Sequence, residues 1–378
     1  MSFSFSAGIL TADYRDGCVY HGGKKYPAGH FVVQLLNQFY VNDTAARIAV
    51  FRDSVNYHIQ EQLQNGYLDI GEFVKTGRNT LESLKALLTL RPFDTLDGNA
   101  LRQHIADLFT EENGARICDF FRVRAKIGLL EQDEVCVGTP DRAMEGHKQR
   151  IRDVQALIDE TRAVLSFFDA VSDDMLLAQK RLKQFISRLE EVPRLDEKHL
   201  LPLALEIFGP IQLPLTVEYT GLKKNRASTD VTVARRLYFS RYLGFLLTDF
   251  FEGLHFGHYP RRCPICGDYY LMQSARRTVY CSGMSPYVVR QQPMSCRAYG
   301  AYLHRKERAE GDPVADIYNR RCAAIRSEVS RGTISGDLAA RVKALAKEHK
   351  QRAQSDRDYA VKQYKKDMER EKLYHDAE

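Results

Sequence analysis

Cys263 and Cys266 are two residues apart, Cys281 follows fifteen residues later, and Cys296 fifteen after that. The only other cysteines, Cys18, Cys118, Cys136 and Cys322, are dispersed and read as ordinary small buried or half-buried residues. Two thiolates so spaced grip one ion from a single tight turn, and Gly267 after the pair lets the backbone aim its amides at sulfur. Four thiolates with no position left open describe a closed tetrahedral site, hence a structural zinc ion. Two other chemistries use the same atoms. A redox Cys-x-x-Cys needs a strand-to-helix setting, which the flanking Arg261-Arg262 and Tyr269-Tyr270 do not resemble. An iron–sulfur cluster also takes four cysteines, although these spacings differ from the common ferredoxin patterns. His255 and His258, just upstream, are candidate replacements for one cysteine and equally ordinary helix-end histidines.

The charge around these cysteines bears on what the module would bind. Residues 261–378 hold 24 Lys and Arg against 15 Asp and Glu, a surplus of +9, whereas the preceding 260 hold 31 against 34. A basic module suits an acidic partner. Arg261, Arg262, Arg276, Arg277, Arg290, Arg297, Arg305 and Lys306 are the candidate phosphate contacts to DNA or RNA. Tyr269, Tyr270, Tyr280 and Tyr287 either fill a small core or stack on bases. The alternative is a zinc-stapled module, too small to bury a core of its own, that serves a protein partner or scaffold without touching nucleic acid.

No phosphate loop, dinucleotide fingerprint, HExxH or GxSxG occurs, so there is no positive sign of an enzyme. Pro193, Asp196 and Lys198 echo a nuclease metal motif but read as a turn entering a helix.

The elements that must position the cysteines are mainly α-helical. Around Gly22-Gly23 the chain reads as a hairpin, and from Asn42 apolar residues Ile48, Phe51, Val55, Ile59 and Leu63 recur at helical spacing until Asn65-Gly66. Helices are expected over residues 79–90, 97–109, 141–171 and 173–191, a strand over 213–220, a polar loop over 221–230, and an apolar helix over 231–256. Asp312-Pro313 and Ser335 or Asp337 open later helices, and past Ser355 the apolar pattern weakens, which predicts a fraying end. The expected organisation is a helical body with small β elements (1–230), an apolar helix (231–260), the four-cysteine module (261–311) and C-terminal helices (312–378). With no secretory signal and no membrane-length apolar run, a cytoplasmic protein with reduced thiols and no membrane partner is expected; the oligomeric state is not legible.

The segment CPICGDYYLMQSARRTVYCS, with Cys296-Arg297 opening a basic helix, is similar to the CGNR-type zinc finger of bacterial regulators. It departs from that finger in that residues 282–295 separate the second cysteine pair and the Cys-Gly-Asn-Arg signature is absent. Residues 235–352 resemble more closely an uncharacterised family of anaerobic Gram-positive bacteria, a domain of unknown function with a helical N-terminal region. The resemblance rests on RRLYFSRYLGFLLTDFFEGLHFG before the CxxCG turn, on Cys296 to Ala301, and on DPVADIYNRRCAAIRSEVSRGTIS after it. It implies a zinc module at these cysteines and no catalytic residues.

Overall fold

A computed structural model describes residues 5–6, 8–39, 41–51, 57–130, 141–209, 215–223, 229–273, 278–289 and 291–378. The fold is mainly α, with short strands, and divides into two compact units. Unit one is Met1–Arg262 with Gly267–Thr278; unit two is Cys263–Cys266 with Val279–Glu378. Among the described residues no helix is long and apolar enough to cross a membrane.

In unit one, strands β1 (Leu10–Arg15), β2 (Cys18–His21) and β3 (Lys24–Pro27) are joined by turns, Gly22 and Gly23 supplying the positive φ that the β2–β3 turn requires. Among the described residues eight α-helices follow: α1 (His30–Asn37), α2 (Val41–Phe51), α3 (Tyr57–Asn65), α4 (Ile70–Leu87), α5 (Gly98–Leu108), α6 (Glu111–Leu130), α7 (Asp141–Ser187) and α8 (Glu197–Phe208). Strands β4 (Thr216–Lys223) and β5 (Val231–Phe239) complete an antiparallel sheet of order β3-β2-β1-β5-β4, and helix α9 (Tyr242–His255) follows. A ribbon of β6 (Tyr259–Arg262) and β7 (Tyr269–Met272) closes the unit. Local capping explains several starts: Asp69, Asp97 and Asp196 accept amide N–H groups at the openings of α4, α5 and α8. Asp196 is therefore a cap in a turn entering a helix.

Three expectations differ from this fold. Residues 231–256 are not one helix: Val231, Val233 and neighbouring aromatics form β5 between β1 and β4, and only α9 is helical. Segments 141–171 and 173–191 are largely one 47-residue helix, α7, which runs unbroken through the buried Asp174. Its carboxylate pairs with Arg241 and accepts Leu243 N–H at 3.1 Å, capping α9, whose own first residues carry no side-chain cap. The third difference is the C-terminus. Unit two contains the ribbon β8 (Met284–Val289) and β9 (Gln292–Ser295), then α10 (Cys296–Gly311), α11 (Pro313–Ser330) and α12 (Gly336–Ser355). Beyond Ser355 the chain does not fray; α13 (Arg357–Lys362), α14 (Tyr364–Asp367) and α15 (Arg370–His375) bury Tyr359, Tyr364, Met368 and Leu373 against Ile325, Val342 and Ala346. Pro313 and Ser335 do open α11 and α12, with Asp312 and Ser335 as caps.

Candidate metal centre

Cys263 and Cys266 sit in the turn after β6, where Gly267 takes a φ of 81°. Side chains avoid that left-handed conformation, and glycine does not. Cys281 lies before β8, and Cys296 is the first residue of α10. Ser295 caps that helix by accepting Ala298 N–H at 3.2 Å, while Cys296 N–H donates to Gly283 O at 2.8 Å. The four cysteine sulfurs lie within 4.8 Å of one another, all in unit two. Cys266 Sγ and Cys281 Sγ are 3.7 Å apart. A tetrahedron with metal–sulfur bonds of about 2.3 Å has edges of about 3.8 Å, so this pair has the separation of two ligands on one ion. The set could hold a metal ion.

The surroundings act differently on two of the sulfurs. Burial pushes the Cys263 thiol up, but the backbone amides of Cys266, Cys281 and Ile265 outweigh it and hold it at about 7. Burial, with the neighbouring thiol of Cys281, pushes Cys296 to about 11. Four thiolates crowded this closely repel one another unless a cation lies between them.

A contact outside the ligands helps to set their spacing. The ring of Tyr280 lies on Gly300 of α10, where a Cβ would come within 2.3 Å of it. Tyr280 precedes Cys281 and Gly300 follows Cys296 by one helical turn, so this contact fixes how closely the two ligand-bearing segments approach. The Tyr280 hydroxyl also meets His304 Nε2 at 3.1 Å.

Neither histidine weighed as a substitute joins the sulfurs: His255 pairs with Glu197 at 2.9 Å and His258 with Ala28 O at 3.0 Å. Cys18, Cys118 and Cys322 are half-buried, and burial pushes the Cys118 thiol up; Cys136 lies outside the described residues.

The candidate phosphate contacts are distributed over both units. Arg261 is half-buried on β6 and reaches Thr278 O at 3.5 Å; Arg262 is exposed and donates to Gly267 O at 3.1 Å. Arg276, Arg277 and Arg290 lie outside the described residues. On α10, Arg297 donates to Tyr280 O at 3.4 Å and Arg305 to Ala301 O at 3.1 Å, both exposed. Lys306 pairs with Glu310 at 3.8 Å. His304 and Arg308, which are not among those candidates, share their face of α10: positions 297, 301, 304, 305 and 308 repeat at the spacing of one helix face. Among the described residues none of Arg297, Arg305 and Arg308 pairs with a carboxylate; Arg308 donates to His304 O at 3.3 Å. Tyr269 and Tyr270 pack against the core of unit one, and Tyr287 stacks on Tyr299.

Fold and site together define a mainly helical protein with a small four-cysteine module suited to a metal ion. Residues 210–378 match the model of a family of unknown function (DUF6076), a span that runs from before β4 through all four cysteines to the last helix. No curated protein and no solved structure matches the chain.

Proposed function

We propose that Cys263, Cys266, Cys281 and Cys296 hold one structural Zn2+ and that the module so fixed binds nucleic acid, DNA or RNA, through α10. All-sulfur tetrahedral ligation suits zinc and leaves no position for substrate, so the ion's part is to hold the fold. The observation that carries the nucleic-acid reading is the stripe of Arg297, Arg305 and Arg308, which rises from a ligand-bearing turn and is committed to no carboxylate among the described residues. Exposed guanidiniums bound only to carbonyl oxygens keep their remaining N–H groups for phosphate. A reducing compartment, the cytoplasm, keeps the thiols available for metal, and a regulatory role fits such a module.

The test is binding of single- and double-stranded DNA and RNA across a salt series, with zinc measured on the same samples. Affinity should fall steeply with salt, and each arginine removed should reduce the slope by about one. Changing Arg297, Arg305 and Arg308 together to Glu should abolish binding while zinc content and helicity stay unchanged, since exposed arginines add little to stability. Absence of salt-sensitive binding to any of them would move the assignment to the second reading, a zinc-stapled protein-interaction or scaffold protein. That reading has its own support. On the β4–β5 ribbon, Val217, Tyr219, Val231 and Val233 share one face and are all at least half exposed, an apolar surface of the kind that docks other proteins.

A further inference from the structure

We infer that the nucleic acid taken by this module is single-stranded, with a base stacked on Tyr287; the inference rests on the nucleic-acid reading above. Tyr287 lies on β8 and is 53% exposed, and its ring is 5.1 Å from that of Tyr299 with planes 22° apart. Tyr302 continues the row at 6.1 Å. Tyr299, Tyr302 and Lys306 are spaced for one face of α10, across the helix from the arginine stripe. The helix is about 10–12 Å across, so a single strand that lays bases on one face and phosphates against the other need only cross it.

The other tyrosines of unit two show what a structural tyrosine looks like there. Tyr359 donates to Asp367, Tyr364 to Val314 O and Tyr374 to Glu328. Cations also cover several of these rings: Lys350 lies over Tyr318, Arg352 over Tyr359 and Arg370 over Tyr374. Tyr287, Tyr299 and Tyr302 differ on both counts. Among the described residues their hydroxyls have no protein partner and no cation lies over their rings, although the helix is rich in arginine. What the protein presents here is ring faces. An unstacked base meets such a face readily, whereas the bases of a duplex are already stacked on each other and offer none along its length. Lys306, one turn beyond Tyr302, is tied only to exposed Glu310 at 3.8 Å, a weak pair that a phosphate can displace.

The test uses the full chain with its metal retained, a labelled oligothymidylate, and a duplex of equal length, read by fluorescence anisotropy. Tyr287→Ala should weaken oligothymidylate binding by about 5- to 150-fold and leave duplex binding unchanged, because stacking acts on the unpaired base alone. Tyr287→Phe, which keeps the ring, should bind as the wild type does. Should Tyr287→Ala disturb folding, photo-crosslinking of a bromodeoxyuridine oligonucleotide to the wild-type chain should map to Tyr287; crosslinks only elsewhere overturn the inference. Equal losses for both probes, or no loss for either, also overturn it. If Arg297→Glu and Arg305→Glu remove binding while Tyr287→Ala is silent, the nucleic-acid reading stands and the stacking inference falls. If the wild-type chain binds neither probe, both fall.

Discussion

Gly300 occupies the second turn of α10, an interior helix position where glycine costs about 1 kcal/mol relative to alanine. The ring of Tyr280 explains its presence, since a methyl group there would collide with the ring. Gly300→Ala should therefore push the Cys281 segment away from Cys296, costing about 1–3 kcal/mol of strain and lowering metal retention; metal analysis after dialysis against a mild chelator reads this. Cys263→Ser should have a larger effect, releasing the metal and loosening unit two, because metal binding supplies much of the folding free energy of such modules. Stoichiometric metal in that variant would contradict the assignment. The two residues differ in legibility for a physical reason. Cysteine spacing is itself a chemical signal, so all four clustered sulfurs could be named from sequence. Gly300 in AYGAYL looks like a weak helix position until the ring that covers it is known.

At the scale of elements, helices capped by their own flanking residues were legible, as at Asp97, Asp312 and Ser335. Helices capped from elsewhere were not. Helix α1 begins after Gly29, which has no side chain to offer, and the acceptor is Asp249 of α9, bonded to the amides of Gly29, Phe31 and Val32 at 2.9, 2.8 and 3.3 Å. Asp249→Ala would leave those amides buried and unpaired, at a cost of about 1–3 kcal/mol or more, visible in denaturant melts. Burial lifts the Asp249 carboxyl to about 7 despite the three amides that favour its charge. The folded chain therefore holds this proton more tightly than the unfolded one. The associated stability is fully present below about pH 4 and is lost as pH rises through about 7. Asp249→Asn should flatten the fall in melting temperature between pH 5 and pH 8; an unchanged slope would point to other groups. Sequence also misread β5, because VTVARRLYF, interrupted by Thr232 and Arg235-Arg236, shows neither a clean alternation nor a helical period and runs into the apolar stretch of α9. It misread the C-terminus because helices of 6, 4 and 6 residues are too short to show one.

On the scale of the whole molecule, the C-terminal helices behave as core rather than appendage. Ending the chain after Ser355 would strip Tyr359, Tyr364, Met368 and Leu373 from Ile325, Val342 and Ala346. That truncation should unfold unit two and expose it to limited proteolysis, whereas a frayed end would be removable without effect. Sequence alone placed the basic surplus in residues 261–378 but had no means of recognising Tyr359 and Tyr364 as core.

The central pairing of the five-stranded sheet has a consequence for how the chain is made. Strand β1 pairs on one edge with nearby β2 and on the other with β5, joining Leu10 to Phe239 and Tyr14 to Arg235. On a ribosome adding about 5–20 residues per second, β5 emerges roughly 10–45 s after β1. Until β5 arrives, any β1–β2 hairpin that forms has one edge unpaired, and Leu10, Ala12 and Tyr14, buried in the finished fold, lack part of their cover; such an edge is a template for a strand of a neighbouring nascent chain. Slowing elongation between β2 and β5 should therefore increase aggregation of newly made protein without changing the stability of the finished molecule.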